Sequence, residues 1–301
     1  MRLANIKVDG CKRLALEAEG RLWLPERDRP GADRWTTVEA VIADAATALP
    51  VLAGMWQEGA VVPVPATRED YLPPVERPSK NILCLGWNYA EHAEESQAVR
   101  GRKASPPGDL IVFTKAPTSV TGPYATVRVP CEFTDQLDWE VELGVVIGRR
   151  GRRIDPAEAL DYVFGYTVIN DLSARDVQFR HRQYFLGKSF DGACPLGPYI
   201  VTAETIPDCQ NLELRCWVNG ELKQHASTAS QIFPVREVIA VLSRWMTLEP
   251  GDIIATGTPA GVGFARRPPQ FLQHGDRVTC EIDGIGRIEN TIERVSVSGK
   301  F

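Results

Sequence analysis

A chain of 301 residues is long enough for one large domain, or for a large domain and a small one. Hydrophobic residues make up 44% and charged residues 24%, ordinary proportions that exclude wholesale disorder. A formal net charge of −5 argues against nucleic acid as a partner, and no stretch approaches the roughly 18 apolar residues of a membrane helix.

The seven cysteines are scattered singly, with no C-x-x-C pair, so a zinc knuckle or redox motif has no support. An odd, unclustered set fits reduced thiols, and the opening MRLANIKVDGCKRLALEAEG lacks the apolar core of a secretory signal. A cytoplasmic location is expected.

Residues 1–75 differ from the rest. RLANIKV, KRLALEA and RLWLP read as short strands, and TVEAVIADAATALPVLAGMW reads as helical. Five prolines between Val62 and Pro78 suit an extended connector. A small N-terminal domain over 1–75 and a catalytic domain over 76–301 are therefore expected. Beyond the connector the chain is mostly short strands and turns. Asn219-Gly220 and Asp283-Gly284 are hairpin signals. Helices are predicted only at roughly 156–163, 174–185 and 234–245, with a short one in GWNYAEHAEES. The fold class is a strand-rich α+β, and the lack of a Gly-rich phosphate loop after a strand disfavours a nucleotide-binding sheet.

In WEVELGVVIG, positions two apart share a strand face, so Glu140 and Glu142 lie side by side opposite Val141, Leu143, Val145 and Ile147. Paired carboxylates over an apolar core repel one another and resist desolvation. A hard divalent cation relieves both problems. Alone, a Glu-x-Glu pair reads as a solvated face. Asp171, ending the apolar strand FGYTVIN, supplies a third carboxylate and makes a metal site the sharper reading. Three oxygen ligands with open positions suit Mg2+, with Mn2+ acceptable and Ca2+ open.

His92 and Glu95 are three apart, on one face of a helical turn. A carboxylate behind an imidazole orients it and raises its basicity, which makes a general base. Gly86 and Asn88 before it suggest a turn able to hinge a lid. In SARDVQFRHRQYFLGKSFDG, Arg175, Gln178 and Arg182 share a helical face. Arg175 is a candidate clamp for a substrate carboxylate, Gln178 a donor to a carbonyl, and Lys188 a stabiliser of a developing oxyanion. Arg182 reads better as a solvated residue. The Gly-rich TGTPAGVG after the apolar DIIA can present Thr258 and backbone N–H groups to a carboxylate.

Taken in order, NILCLGWNYAEHAEE, VFTKAPTSVTGP, DWEVELGVVIG, YVFGYTVINDLSARDVQ, GKSFDGACPLGPYIV, LEPGDIIATGTPAGVG and GDRVTCEIDGIGRIEN resemble the fumarylacetoacetate hydrolase family over roughly residues 79–295. The first 75 residues resemble the variable front segment of some members. The resemblance implies a mixed β-roll catalytic domain, a homodimer, and Mg2+ or a similar cation on Glu140, Glu142 and Asp171. It implies a dyad of His92 and Glu95, with Lys188, Arg175, Gln178 and Thr258 lining the substrate site. Thr114 within the Phe-x-Lys stretch and Trp87 at an often aliphatic position are small departures, and Trp87 bears on substrate choice. The expected activity is hydrolysis of a carbon–carbon bond in an acylpyruvate or related 2-oxo acid. Decarboxylation, tautomerisation or isomerisation of an oxaloacetate-like or 2-hydroxy-dienoate acid is the alternative, and a non-catalytic metal-stabilised binding module stands behind both. Substrate side pockets are expected from the loops 97–108 and 264–273.

Overall fold

The computed structural model describes residues 1–26, 33–99 and 107–296, so most of the loop expected at 97–108 lies outside the described residues. A twelve-stranded sheet forms the frame. Its path runs through Val61–Val64, Arg21–Pro25, Cys11–Ala18, Arg2–Val8, Cys194–Thr202, Val163–Asn170, Val141–Ile147, Ile253–Ala255, Ile82–Gly86 and Ile111–Lys115. Neighbours along this path pair antiparallel except Ile253–Ala255 with Ile82–Gly86. A second sheet of five strands contains Glu221–Ser227, Glu213–Val218, Arg277–Ile282, Gly286–Val295 and Val127–Pro130.

Period-two alternation explains how the layers stack. Val141, Leu143, Val145 and Ile147 join Leu214, Cys216, Val278 and Ile282 of the second sheet in one buried core. Val146, on the opposite face, joins a second core with Val38, Val41, Ile42 and Leu52 from the N-terminal helices. The central strand is thus covered on both sides, which explains its near-continuous apolar run.

The hairpin signals appear as expected. Asn219 and Gly220 have φ of 52° and 81°, both positive as a tight two-residue turn requires. The N-terminal strands are also where the sequence places them, and the helical stretch divides at Asp44 into Val38–Ala43 and Ala45–Gln57. Thr37 caps the first piece by accepting from the Ala40 N–H at 3.2 Å. Three expectations change. The proline-rich connector contributes two strands, Val61–Val64 at the sheet edge and Tyr71–Leu72 against Arg2–Val8. Edge placement tolerates Pro63, which has no N–H to give a further strand. The helix expected at 156–163 is a 3-10 turn, Ala159–Tyr162. The helix expected at 174–185 is two short ones, Arg175–Arg180 and Phe185–Lys188, separated by extended His181. Arg182 falls outside the first helix and is exposed. Among the described residues, no helix is long and apolar enough to cross a membrane.

Candidate active site

The site begins at two adjacent strand ends. Asn170 closes the strand Val163–Asn170 and its side-chain carbonyl accepts the Glu140 N–H at 3.1 Å. The Asp171 N–H donates back to the Glu140 carbonyl at 2.8 Å. This reciprocal clip sets Asp171 beside Glu140. Asp171 does not cap the helix that follows, whose N-cap is Ala174. Glu142, two residues along from Glu140, faces the same side. Oxygen atoms of Glu140, Glu142 and Asp171 all lie within 4.8 Å of one another, and all three side chains are buried.

Three cations are buried with them. Lys188 Nζ donates to Glu140 Oε2 at 2.6 Å and to Asp171 Oδ2 at 2.7 Å. Lys115 Nζ donates to Asp171 Oδ1 at 2.6 Å and to the Leu172 carbonyl at 3.2 Å. Arg175 Nε donates to Asp138 Oδ2 at 2.9 Å and its Nη1 to Gln178 Oε1 at 3.0 Å. Its Nη2 lies 2.6 Å from Glu140 Oε1, an ion-pair contact that is short but poorly aligned as a hydrogen bond. In this structure the Arg175 guanidinium therefore holds protein groups, where the sequence suggested a clamp on substrate.

The charges do not balance. Four buried carboxylates, Asp138, Glu140, Glu142 and Asp171, meet the three cations Lys115, Arg175 and Lys188. Burial opposes ionisation of Glu140, but Lys188 and then Arg175 outweigh it and hold its carboxyl at about 2. Burial also opposes the charge on Lys188, and the carboxylates of Asp171 and Glu140 reverse that, raising it above the usual lysine value. Glu142 is the residue left over. Its carboxylate accepts the Gly257 N–H at 2.8 Å. Burial, then Asp171 and Glu140, pushes its carboxyl well above the ordinary range. Gly257 has φ of +93°, and a Cβ there would lie 2.8 Å from that of Asn88, so only glycine brings this N–H so close.

An all-oxygen donor set whose Glu142 has no cationic partner fits a hard divalent cation held by Glu140, Glu142 and Asp171. Such an ion would let Glu142 ionise and would leave the cluster with one net positive charge, suited to an anionic ligand.

The dyad stands at a small cavity, which His92, Glu140, Arg175, Gln178, Lys188 and Thr258 line. His92 and Glu95 sit on the helix Ala90–Val99, with His92 Nδ1 at 2.8 Å from Glu95 Oε1. The carboxylate also accepts the Gly261 N–H, 3.1 Å from each oxygen. An acceptor at Nδ1 assigns the proton there and leaves Nε2 as the basic nitrogen. Gln178 Oε1 accepts from Arg175 Nη1, which leaves the Gln178 NH2 to serve a ligand. The Thr258 hydroxyl donates to the Val141 carbonyl at 2.9 Å and accepts from Gln224 at 2.8 Å, so it fixes the loop in which it sits. Trp87, Phe113 and Phe264 supply apolar wall. Asn88, expected in a hinge, is instead buried and bonded to Thr256, Phe233 and Ile232.

The candidate ligand, dyad and substrate-site residues meet at this cavity and the cluster beside it, whereas Arg182 is exposed and Thr114 accepts from Asn81 away from both. Three others had to be found in three dimensions. Lys115 is a fully buried lysine ending the strand IVFTK. Gln224 bonds both Val141 and Thr258 across the sheets. Asp138 continues the period of two back from Glu140 and Glu142, yet its carboxylate meets Arg175 instead of theirs. That periodicity was the one signal available for it.

Residues 81–293 match the family described as fumarylacetoacetate (FAA) hydrolase C-terminal. The chain is 50% identical over 219 residues to the oxaloacetate tautomerase YisK of Bacillus subtilis, covering 73% of this chain and 71% of that one. The fumarylacetoacetate hydrolase of psychrophilic Exiguobacterium antarcticum superposes with a TM-score of 0.83 at 36% identity, over 98% of this chain and 100% of that one. The maleylpyruvate hydrolase of Sphingobium sp. SYK-6, solved with manganese(II) and pyruvate, gives a TM-score of 0.76 at 27% identity, over 98% and 99%. A match that takes in most of the chain, and that its structural neighbours extend over nearly their whole length, makes this protein a member of the fumarylacetoacetate hydrolase family.

Proposed function

We propose that the protein interconverts the keto and enol forms of a short 2-oxo diacid of the oxaloacetate type, with Mg2+ as its cation. One observation carries the reading: a histidine backed by a carboxylate lines the same cavity as Glu140, which belongs to a buried carboxylate triad whose Glu142 has no cationic partner. The likeness to a bacterial oxaloacetate tautomerase supports the choice of reaction, ahead of the carbon–carbon hydrolysis expected from the sequence. The manganese and pyruvate in the maleylpyruvate hydrolase structure support a divalent ion and a 2-oxo acid. Mg2+ suits three protein oxygens with positions left for water and substrate. The homodimer implied by the family resemblance belongs to the same proposal.

A divalent cation on Glu140, Glu142 and Asp171 supplies Lewis acidity at the 2-oxo group. The chain's own residues do the rest. His92 Nε2 removes a proton from the carbon between the keto and distal carboxyl groups, and Glu95 at Nδ1 stabilises the imidazolium. The electron pair of the C–H bond becomes the carbon–carbon double bond, and the π pair of the 2-oxo group moves onto its oxygen. The Gln178 NH2 and the Lys188 ammonium face that developing charge. The proton returns to this oxygen to give the enol, or to carbon in the reverse direction, and no other bond breaks. Aromatic walls exclude the water that would compete.

The dyad is equally able to deprotonate water, which keeps hydrolysis of an acylpyruvate as the second reading. Both are tested by following the ultraviolet absorbance of enol oxaloacetate beside that of acetylpyruvate, with and without Mg2+. The expected result is enol–keto relaxation well above the spontaneous rate, abolished by chelator, with acetylpyruvate intact. Cleaved acetylpyruvate with oxaloacetate relaxing at its spontaneous rate refutes the tautomerase and installs the hydrolase.

A further inference from the structure

Asp138 is fully buried and all its oxygen capacity is used. Oδ1 accepts the Trp139 N–H at 2.8 Å and the Gly263 N–H at 2.7 Å. Oδ2 accepts the Phe264 N–H at 3.0 Å and Arg175 Nε at 2.9 Å. The seat is closed around it: a Cβ on Gly263 would fall 2.7 Å from Oδ1 and 2.0 Å from the Gln270 carbonyl. On one side, Arg175 continues from this carboxylate to Glu140. On the other, the segment whose N–H groups hold Asp138 begins with Gly261, whose N–H holds Glu95. The path from the imidazole to the triad is therefore continuous: His92, Glu95, Gly261, Gly263 and Phe264, Asp138, Arg175, Glu140.

We propose that Asp138 is a positioning residue that couples the His92–Glu95 dyad to the carboxylate triad through the backbone of residues 261–264. It neither lines the cavity nor belongs to the carboxylate triad. Its two oxygens fix where Arg175 meets Glu140 and, at once, where the Gly261 N–H meets Glu95. Disturbing it displaces both halves of the site, although neither half contacts it directly. The cation arm of this coupling rests on the reading of Glu140, Glu142 and Asp171 as a cation site.

The test uses Asp138→Asn, an isostere whose NH2 cannot accept from an N–H. Mn2+ affinity is measured by calorimetry, and amide exchange of residues 90–99 and 261–264 by mass spectrometry, on the full chain. Loss of a charge-assisted hydrogen bond predicts a drop in Mn2+ affinity of about tenfold or more. Faster exchange is expected in both segments, with Arg277–Ile282 unchanged. Arg175→Lys is expected to lower Mn2+ affinity as well, and the double variant to be no worse than the weaker single one, as for two groups acting in series. Additive losses, or faster exchange confined to 261–264, overturn the coupling. A wild-type chain that binds no Mn2+ refutes the cation site alone, and the exchange of residues 90–99 then decides the coupling by itself. Should Asp138→Asn not fold, Gly263→Ala displaces the same carboxylate from the loop side, and unchanged exchange at 90–99 there overturns the proposal.

Discussion

Glu142→Gln separates the stability of the site from its function. Glu142 is the carboxylate without a cationic partner, and burial, Asp171 and Glu140 raise its pKa well above the ordinary value. A carboxyl raised on folding contributes its full stability below its unfolded pKa and loses it as pH rises through the folded value. The metal-free protein should therefore weaken from mildly acidic to alkaline pH. Each pH unit above the unfolded pKa over which the native state retains that proton corresponds to about 1.4 kcal/mol forfeited at high pH. Glutamine keeps a carbonyl for the Gly257 N–H and removes the titration. In chelator at pH 8, Glu142→Gln should melt no lower than wild type, and higher by about 2 °C per kcal/mol recovered. Saturating Mg2+ should raise the wild-type midpoint, since a ligand at a hundred times its Kd adds about 2.7 kcal/mol. The variant should show little of that rise. Differential scanning calorimetry with and without Mg2+, at pH 5 and pH 8, reads all four states. A variant that melts below wild type in chelator at pH 8, or that keeps the full Mg2+ response, refutes the claim that Glu142 carries the uncompensated charge.

Other perturbations test other parts of the site. His92→Ala should lower turnover of enol oxaloacetate by about 10²–10⁴-fold with cation affinity retained, read by steady-state assay and calorimetry, and unchanged turnover removes His92 from proton transfer. Lys188→Met leaves Glu140 and Asp171 facing one another with fewer cations. Breaking a buried pair costs about 3–5 kcal/mol, and here Mg2+ should restore much of it, so urea midpoints with and without Mg2+ should diverge more than in wild type. Gly257→Ala places a Cβ 2.8 Å from that of Asn88 at a φ of +93°, for a loss of about 1–3 kcal/mol in the same urea assay. An alanine variant as stable as wild type would show that the loop relaxes freely around Glu142.

Much of the site was legible because strand geometry is periodic. Two glutamates two apart must share a face, and an aspartate ending an apolar strand must emerge near a neighbouring strand's end. His92 and Glu95 were legible for the matching helical reason. What periodicity does not carry is which groups a long side chain finds across the fold. Arg175 shares a helical face with Gln178 as expected, but its direction was set by Asp138 and Glu140, from a segment some 35 positions earlier in the chain. Lys115 ends the edge strand Ile111–Lys115, and only its neighbour relation to Asp171 gives it a role. The single helix expected at 174–185 divides in two because the backbone is extended at His181, where neither proline nor glycine announces the break. The proline-rich stretch 62–78 looked like pure connector since prolines mark edge strands and linkers alike.

The most direct test is a crystal structure of the full chain grown with Mn2+ and pyruvate, read by anomalous scattering at the manganese edge. The expected result is one peak within about 2.6 Å of an oxygen from each of Glu140, Glu142 and Asp171, with pyruvate between it and His92. A manganese peak bound elsewhere, or Glu140 and Asp171 still held by Lys115 and Lys188 with no ion among the three carboxylates at saturating Mn2+, would contradict the account.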